Sequence, residues 1–156
     1  MPRDHKPSGP LDDVSKAIIE QLQQDGRRSY AAIGKVVGLS EAAVRQRVQR
    51  LTESGAMQIV AVTDPVEMGF ARQAMVGVRV VGSIDPVADE LAAIPEVDYV
   101  VVTAGSYDIL AEVVCESDSQ LLELVNEKLR TIDGVVATEI FVYLRLQKQT
   151  YSWGVR

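Results

Sequence analysis

Residues 45–50 place Arg45, Gln46, Arg47, Gln49 and Arg50 in one short stretch. Read as a helix, this stretch buries Val44, Val48 and Leu51 on one side. The opposite side then carries Ala42, Gln46, Gln49, Arg50 and Glu53, with Arg45 and Arg47 on the two flanks. Gln and Arg side chains can make paired hydrogen bonds to adenine and guanine edges, and flanking arginines suit phosphates. Ala42 and Ala43 are small near the helix start, where Ser40 is the cap, and permit close approach to bases. The chemistry expected of Ser40, Ala42, Ala43, Arg45, Gln46, Arg47, Gln49 and Arg50 is therefore contact with double-stranded DNA. The same pattern also fits an ordinary helical pair with a solvated basic face.

Other chemistries lack their residues. Cys115 is the single cysteine and His5 the single histidine. That leaves no disulfide, no Cys-His or Ser-His pair for nucleophilic catalysis, and no zinc set. Cys115 sits in an apolar run and reads as a small buried hydrophobe. Glu112, Glu116, Glu123 and Glu127 read as a solvated acidic face rather than a metal site. Neither a catalytic residue, a metal nor a cofactor is expected, and the chain is read as not an enzyme. The segment Ala104-Gly105-Ser106-Tyr107-Asp108 reads first as a strand connection, with Gly for the turn, Asp as a local cap and Tyr for packing.

The elements that position these residues follow from periodicity. Leu11, Val14, Ile18, Ile19 and Leu22 share one helical face, with Asp12 or Asp13 as cap and Gly26 as a left-handed stop. A shorter helix spans 30–37 with Ser29 as cap. Gly38 supplies a sharp turn, and a third helix runs from Ser40 to about Ser54 before Gly55. Gly34 is small where the second and third helices approach. Together these make a helix-turn-helix. Residues 58–63 read as a short β-type run, and the segment around Asp64-Pro65 as a hinge.

From Gln73 onward the pattern changes. Strands are expected at 74–81, 97–103, 108–115 and 135–146, and helices at 86–94 and 119–132. Asp85 is the expected cap of the first of these helices, with Pro86 at its first position. The order β-α-β-β-α-β is the ferredoxin-like split unit. The domain plan is a polar arm at 1–10, a DNA-binding domain at 11–63, a hinge at 64–72, an oligomerising domain at 73–148 and a tail at 149–156.

Composition is that of a chain with real cores. The 156 residues are 47% hydrophobic and 24% charged, and no apolar run approaches the length of a membrane span. The start has no signal-peptide pattern, so the expected location is cytoplasmic and nucleoid-associated, with no membrane partner. The net charge of −6 is unevenly spread: the first 57 residues carry nine Lys/Arg against seven Asp/Glu, and the acidic excess lies beyond them. Local charge, not the sum, governs phosphate attraction.

Leu11-Asp12-Asp13, Asp25-Gly26-Arg27, Ala32-Ile33-Gly34, Gly38-Leu39-Ser40, Val44, Arg47-Val48, Arg50-Leu51 and Gly55 resemble the N-terminal domain of the Lrp/AsnC family, the leucine- and asparagine-responsive regulators. The β-α-β-β-α-β unit is similar to that family's ligand-sensing RAM domain (regulation of amino-acid metabolism), with 101–108, VVTAGSYD, matching its glycine turn. The likeness covers about 11–148. It implies an α+β protein with a winged helix-turn-helix and a C-terminal RAM domain. It also implies a homodimer assembling into tetramers or octamers, and an amino-acid or related small-molecule effector. It further implies that Thr103, Ala104, Gly105, Tyr107 and Asp108 line the effector pocket, with Thr138 of the last strand supplied by a neighbouring subunit. Gly105 would open backbone N–H groups to a carboxylate, and Asp108 would accept from an α-ammonium. The alternatives are an effector-independent architectural DNA-binding protein and, further off, a small ferredoxin-like enzyme. Tyr151 and Trp153 beyond the last strand fit either an interface or the edge of the core.

Overall fold

The computed structural model describes residues 11–150. The arm at 1–10, and Tyr151 and Trp153 in the tail, lie outside them. The chain divides into two compact units, one built from the residues up to Ala61 and the other from Val62–Gln147.

In the first unit three helices form as the apolar spacing requires: α1 (Asp13–Gln24), α2 (Tyr30–Val37) and α3 (Glu41–Glu53). Each is capped by a side-chain oxygen that accepts from a free first-turn N–H: Asp12 from Ser15, Ser29 from Ala32 and Ser40 from Ala43. Ile18, Leu22, Ile33, Val44 and Val48 meet in one core. Gly38 is left-handed at φ 72°, and the Leu39 N–H donates to the Gly34 carbonyl at 2.9 Å. Gly34 is required by space: a Cβ there would sit 2.4 Å from the Leu39 carbonyl oxygen.

Two expectations in this unit are corrected. Gly26 is not left-handed. The turn after α1 is instead closed by Asp25, whose carboxylate accepts from the Arg27 N–H at 2.9 Å, so no positive φ is needed. The run 58–63 is not a strand. A strand is defined by a hydrogen-bonding neighbour, and none of the described residues offers one there; Ile59, Val60 and Val62 are exposed.

The second unit holds β1 (Arg72–Val80), α4 (Ile84–Ala92), β2 (Val97–Val102), β3 (Ile109–Cys115), α5 (Asp118–Glu123) and β4 (Val135–Val142). The four strands form one antiparallel sheet in the order β2-β3-β1-β4, the ferredoxin-like arrangement. Ala74, Val76 and Val78 of β1 and Ile109, Val113 and Cys115 of β3 face the helices, where Val87, Leu91, Leu121, Leu124, Val125 and Leu129 complete the core. Among the described residues of this unit, no helix lies over the other face of the sheet. There Phe141 and Tyr99 stay exposed and Met75, Leu110 and Val114 are only half-buried.

Several boundaries differ from expectation. Helix α4 starts at Ile84 with Ser83 at the cap position, so Pro86 stands inside the first turn, where its missing N–H costs no helical bond. The last strand ends at Val142 rather than 146, because the Tyr143 N–H makes the final backbone bond, to Gln73, and β1 begins at Arg72. The helix expected at 119–132 runs from Asp118, capped by Ser117, into a π-helical turn, Leu124–Leu129.

Replacing Gly34 with Ala forces its Cβ against backbone that cannot swing away. The expected result is destabilisation of the first unit by about 1–3 kcal/mol. It would be read as a lower denaturant midpoint at unchanged slope; an unchanged midpoint would show that the turn between α2 and α3 relaxes freely.

Candidate functional site

Helix α3 presents Ala42, Arg45, Gln46, Gln49 and Arg50 outward, while Val44, Val48 and Leu51 hold its inner face. Its exposed side chains are not equally available. Gln46 and Arg50 make no hydrogen bond to another side chain among the described residues. Gln49 donates to Glu53 at 2.8 Å, and Arg45 pairs with Glu41 at 2.7 Å while its guanidinium lies 5.4 Å from the Tyr30 ring centroid. Arg27, Arg28 and Arg45 border an open groove of about 310 Å³ beside Tyr30, a basic surface next to the helix.

Arg47 has a different place from the flank expected of it. Its Nη1 donates to Asp12 at 2.7 and 3.0 Å and to the Ser15 hydroxyl at 3.1 Å. It ties α3 to the N-terminal cap of α1. The Ser15 hydroxyl, the Arg47 guanidinium and the Ser15 backbone N–H hold the Asp12 carboxyl far below its ordinary 3.8. Sequence spacing could not pair residues this far apart in the chain.

The 103–108 turn is tied to β1 through Asp108. The Asp108 N–H donates to the Val78 carbonyl at 3.0 Å, and the Asp108 carboxylate accepts from the Val80 N–H at 2.8 Å. That bond lies where the β1–β4 register shifts, between Arg79 and Val80. Asp108 therefore already holds the end of the central strand, a role beyond the local cap read from sequence. The Thr103 hydroxyl donates to the Tyr107 carbonyl at 2.5 Å, and the Thr103 N–H to the Asp108 carbonyl at 2.8 Å. Ala104 and Gly105 are exposed. Gly105 has no positive φ, and a Cβ on it would meet nothing within 4 Å, so neither the turn nor the space around it demands glycine.

Glycine is demanded instead at Gly77. The Tyr107 ring lies flat on it, so a Cβ at Gly77 would stand 2.6 Å from Tyr107 Cγ. The same ring meets Phe141 of β4 edge-on, with centroids 6.0 Å apart. An isolated glycine inside a strand is a signal of such close approach, and it was present in the sequence.

Thr138 is not gathered with the turn in this chain. It lies opposite Val78, on the helix side of the sheet, whereas Tyr107 covers the open side. Its hydroxyl accepts from Arg130 Nε at 2.9 Å. Glu112 also leaves its expected group. It stands on the open sheet face, where it accepts from Gln73 at 2.9 Å; burial, and after it the Glu112 charge, pushes the Tyr143 hydroxyl up to about 12. Cys115 is fully buried, and burial raises its thiol, as befits an inert core residue. Among the described residues no cluster of three potential metal ligands occurs, and no helix is long and apolar enough to cross a membrane.

Two measurements check these assignments. Stability from the depressed Asp12 carboxyl is present above its ordinary value and is lost as pH falls through its folded value. Acid unfolding of the wild type should therefore steepen below about pH 4, and the Asp12→Asn and Arg47→Ala variants should lack that increment, with a non-additive double variant. Independent acid profiles would dissolve the pair. Gly77→Ala should cost about 1–3 kcal/mol by expelling the Tyr107 ring, and adding Tyr107→Ala should recover part of that loss; no recovery would place the strain elsewhere.

Comparison with known proteins agrees with this architecture. Residues 11–52 match the AsnC-type helix-turn-helix domain, and residues 70–156 match a C-terminal dimeric alpha+beta barrel domain of AsnC-type regulators. The chain is 33% identical over 149 residues to the HTH-type transcriptional regulator FL11 of Pyrococcus horikoshii, covering 94% of this chain and 98% of that one. The crystal structure of the leucine response regulatory protein LrpA of Mycobacterium tuberculosis superposes with a TM-score of 0.84 at 26% identity, over 92% of this chain and 99% of that one. A Neisseria meningitidis transcriptional regulator, solved in complex with L-Met, shares the fold at 23% identity and a TM-score of 0.78, over 94% and 96% of the two chains. The chain belongs to the Lrp/AsnC family and is a DNA-binding, helix-turn-helix transcription regulator, not an enzyme.

Proposed function

We propose that the chain reads a specific DNA sequence through α3 and that an amino acid or related small metabolite adjusts this binding or the assembly that supports it. The observation that carries the first half is the pair Gln46 and Arg50. Both are exposed, both sit on the face of α3 opposite its buried stripe, and neither is tied to another described side chain. They are the base-reading residues in this proposal. Ser40, Ala42 and Ala43 let the helix start approach the groove, and Gln49 and Arg45 contact the duplex once their Glu53 and Glu41 bonds exchange for it. Arg47 acts from behind, holding α3 on α1. The work of such a protein is on the nucleoid.

The homodimer belongs with the family's dimeric C-terminal domain. The uncovered sheet face, with Met75, Leu110, Val114 and Phe141, is the surface that pairing would bury. A two-fold dimer would set two α3 helices on half-sites roughly 34–36 Å apart or a multiple of it. Tetramers or octamers built from such dimers bring the 103–108 turn of one subunit to a neighbour. The effector is proposed to lie there, against Thr103, Ala104, Gly105 and Tyr107. The free surface at Gly105 and the L-Met complex of the Neisseria relative support this reading. Asp108 takes part by holding the turn, and its second carboxylate oxygen remains for a ligand amine.

Gln46→Ala and Arg50→Ala should each relax base preference at one operator position, at a cost of about 1–3 kcal/mol. Arg45→Ala should weaken binding to all sequences and lower the salt slope. The check is binding to selected and randomised duplexes at several salt concentrations. Full operator preference in both single variants would remove α3 as the reading helix. DNA affinity indifferent to every amino acid tested would assign the architectural role instead.

A further inference from the structure

We infer that the C-terminal unit carries a small-molecule site between the chain at 63–70 and the start of β2, and that it takes a small organic ammonium with an apolar body. Strand β2 separates this site from the 103–108 turn, by roughly 20 Å. The inference does not rest on the effector reading above.

The first ground is the space. Pro65, Met68, Phe70, Pro95 and Val114 line most of a cavity of about 480 Å³, and Glu96 and Asp98 give it an acidic side. All seven belong to one compact unit. The volume and the apolar lining suit a small metabolite. The wall at 64–70 is a closed turn rather than a slack connection. The Val66 N–H donates to the Asp64 carboxylate at 2.9 Å, the Phe70 N–H donates to the Pro65 carbonyl at 2.9 Å, and Gly69 takes a φ of 93°. Met68 is left exposed on this turn, and its flexible thioether chain can fit bodies of different shape.

The second ground is the state of the two acids. Glu96 Oε1 accepts from Lys128 Nζ at 2.7 Å, while Oε2 is closed off from solvent and accepts from no described donor. A buried carboxylate oxygen without a donor is costly and rare. Glu96 borders the cavity, so a rotation of its carboxylate presents that oxygen to a ligand N–H. Asp98 is exposed and makes no side-chain hydrogen bond or ion pair with a described residue. No Lys, Arg or His lines the cavity. Its negative field attracts a cation and repels the carboxylate of an amino acid, and the face of the Phe70 ring adds to the attraction. Among the described residues no group of three metal-ligating side chains occurs, so two carboxylates beside apolar walls fit an organic cation better than a metal ion.

The third ground is the backbone that carries Asp98. Val97 pairs with Val113 and Tyr99 with Glu112, so Asp98 is the extra residue of a bulge in the edge strand β2. Bulges re-aim side chains and are over-represented at sheet edges and beside sites. A bulge and a charge that served only to blunt the edge against pairing would need no cavity beside them. Here the bulged acid, the acid with an orphaned oxygen and an exposed apolar wall border one space.

The test uses the full-length protein and calorimetric titration at neutral pH. The probes are 3-methylbutylamine and 2-phenylethylamine. Their controls are 3-methylbutanoate and 2-phenylethanol, which keep the body and lose the cation, and methylammonium, which keeps the cation and loses the body. The wild type should bind at least one of the two amines, and every control at least tenfold more weakly. Asp98→Asn and Met68→Ser should each lower the affinity for that amine at least fivefold, with unchanged thermal unfolding, because both side chains are exposed. Glu96→Gln should lower it as well. If Glu96→Gln fails to fold for want of its bond to Lys128, the other two variants and the controls still decide. A wild type that binds neither amine overturns the inference. So does an acid or alcohol control that binds as tightly as the amine, or an amine affinity within twofold of wild type in both Asp98→Asn and Met68→Ser. Each of these results leaves the effector reading at the 103–108 turn in place.

Discussion

The central strand β1 is the constraint on which the C-terminal unit depends. It is hydrogen-bonded on both sides, to β3 and to β4, so every residue along it is committed to one face or the other. Ala74, Val76 and Val78 are fully buried under the helices. Gly77, between them, points to the uncovered face and exists as glycine because the Tyr107 ring occupies the place of a side chain. Where β1 ends and its register with β4 breaks, the Asp108 carboxylate takes the Val80 N–H. The turn that carries Tyr107 and Asp108 is thus fastened to the strand by a ring on its open face and by backbone bonds near its end. A turn anchored this way cannot move without disturbing the open sheet face.

The N-terminal unit shows a parallel division of labour among like residues. Five polar side chains cluster at 45–50, yet their surroundings separate them. Arg47 is consumed in packing α3 on α1, Arg45 and Gln49 are held by acids one turn away on α3, and Gln46 and Arg50 are left to the solvent. Charge on a helix is therefore a poor guide to which residues meet a ligand. Whether an opposite charge has already been brought beside it decides more.

The open face of the sheet reconciles composition with function. A four-stranded sheet covered by helices on one side only leaves an apolar surface that a lone chain would expose to water. Its polar members are spaced among hydrophobic ones: Glu112 is engaged by Gln73 and stands beside Tyr143, a hydroxyl kept protonated by burial and by that negative charge. Satisfied polar groups of this kind can enter an interface without the penalty of an unpaired charge.

Helix-forming spacing, the N-caps of the first three helices and the Gly38 turn were legible in the chain, because each depends on residues within one turn of each other. Ser29, Ser40 and Gly38 stand where local chemistry requires. The β-α-β-β-α-β order followed equally from local periodicity, and the family followed from the motifs. What tertiary structure alone decided are the relations between distant residues: Arg47 on Asp12, Tyr107 on Gly77, Asp108 on Val80 and Arg130 on Thr138. Strand ends belong to the same class. The run 58–63 has the residue types a strand wants but, among the described residues, no neighbour to make it one, and β4 stops where β1 gives out. Periodicity reports which face a residue prefers; only the folded chain settles what stands opposite it, because that contact is set by packing across many residues at once rather than by any segment's own preference.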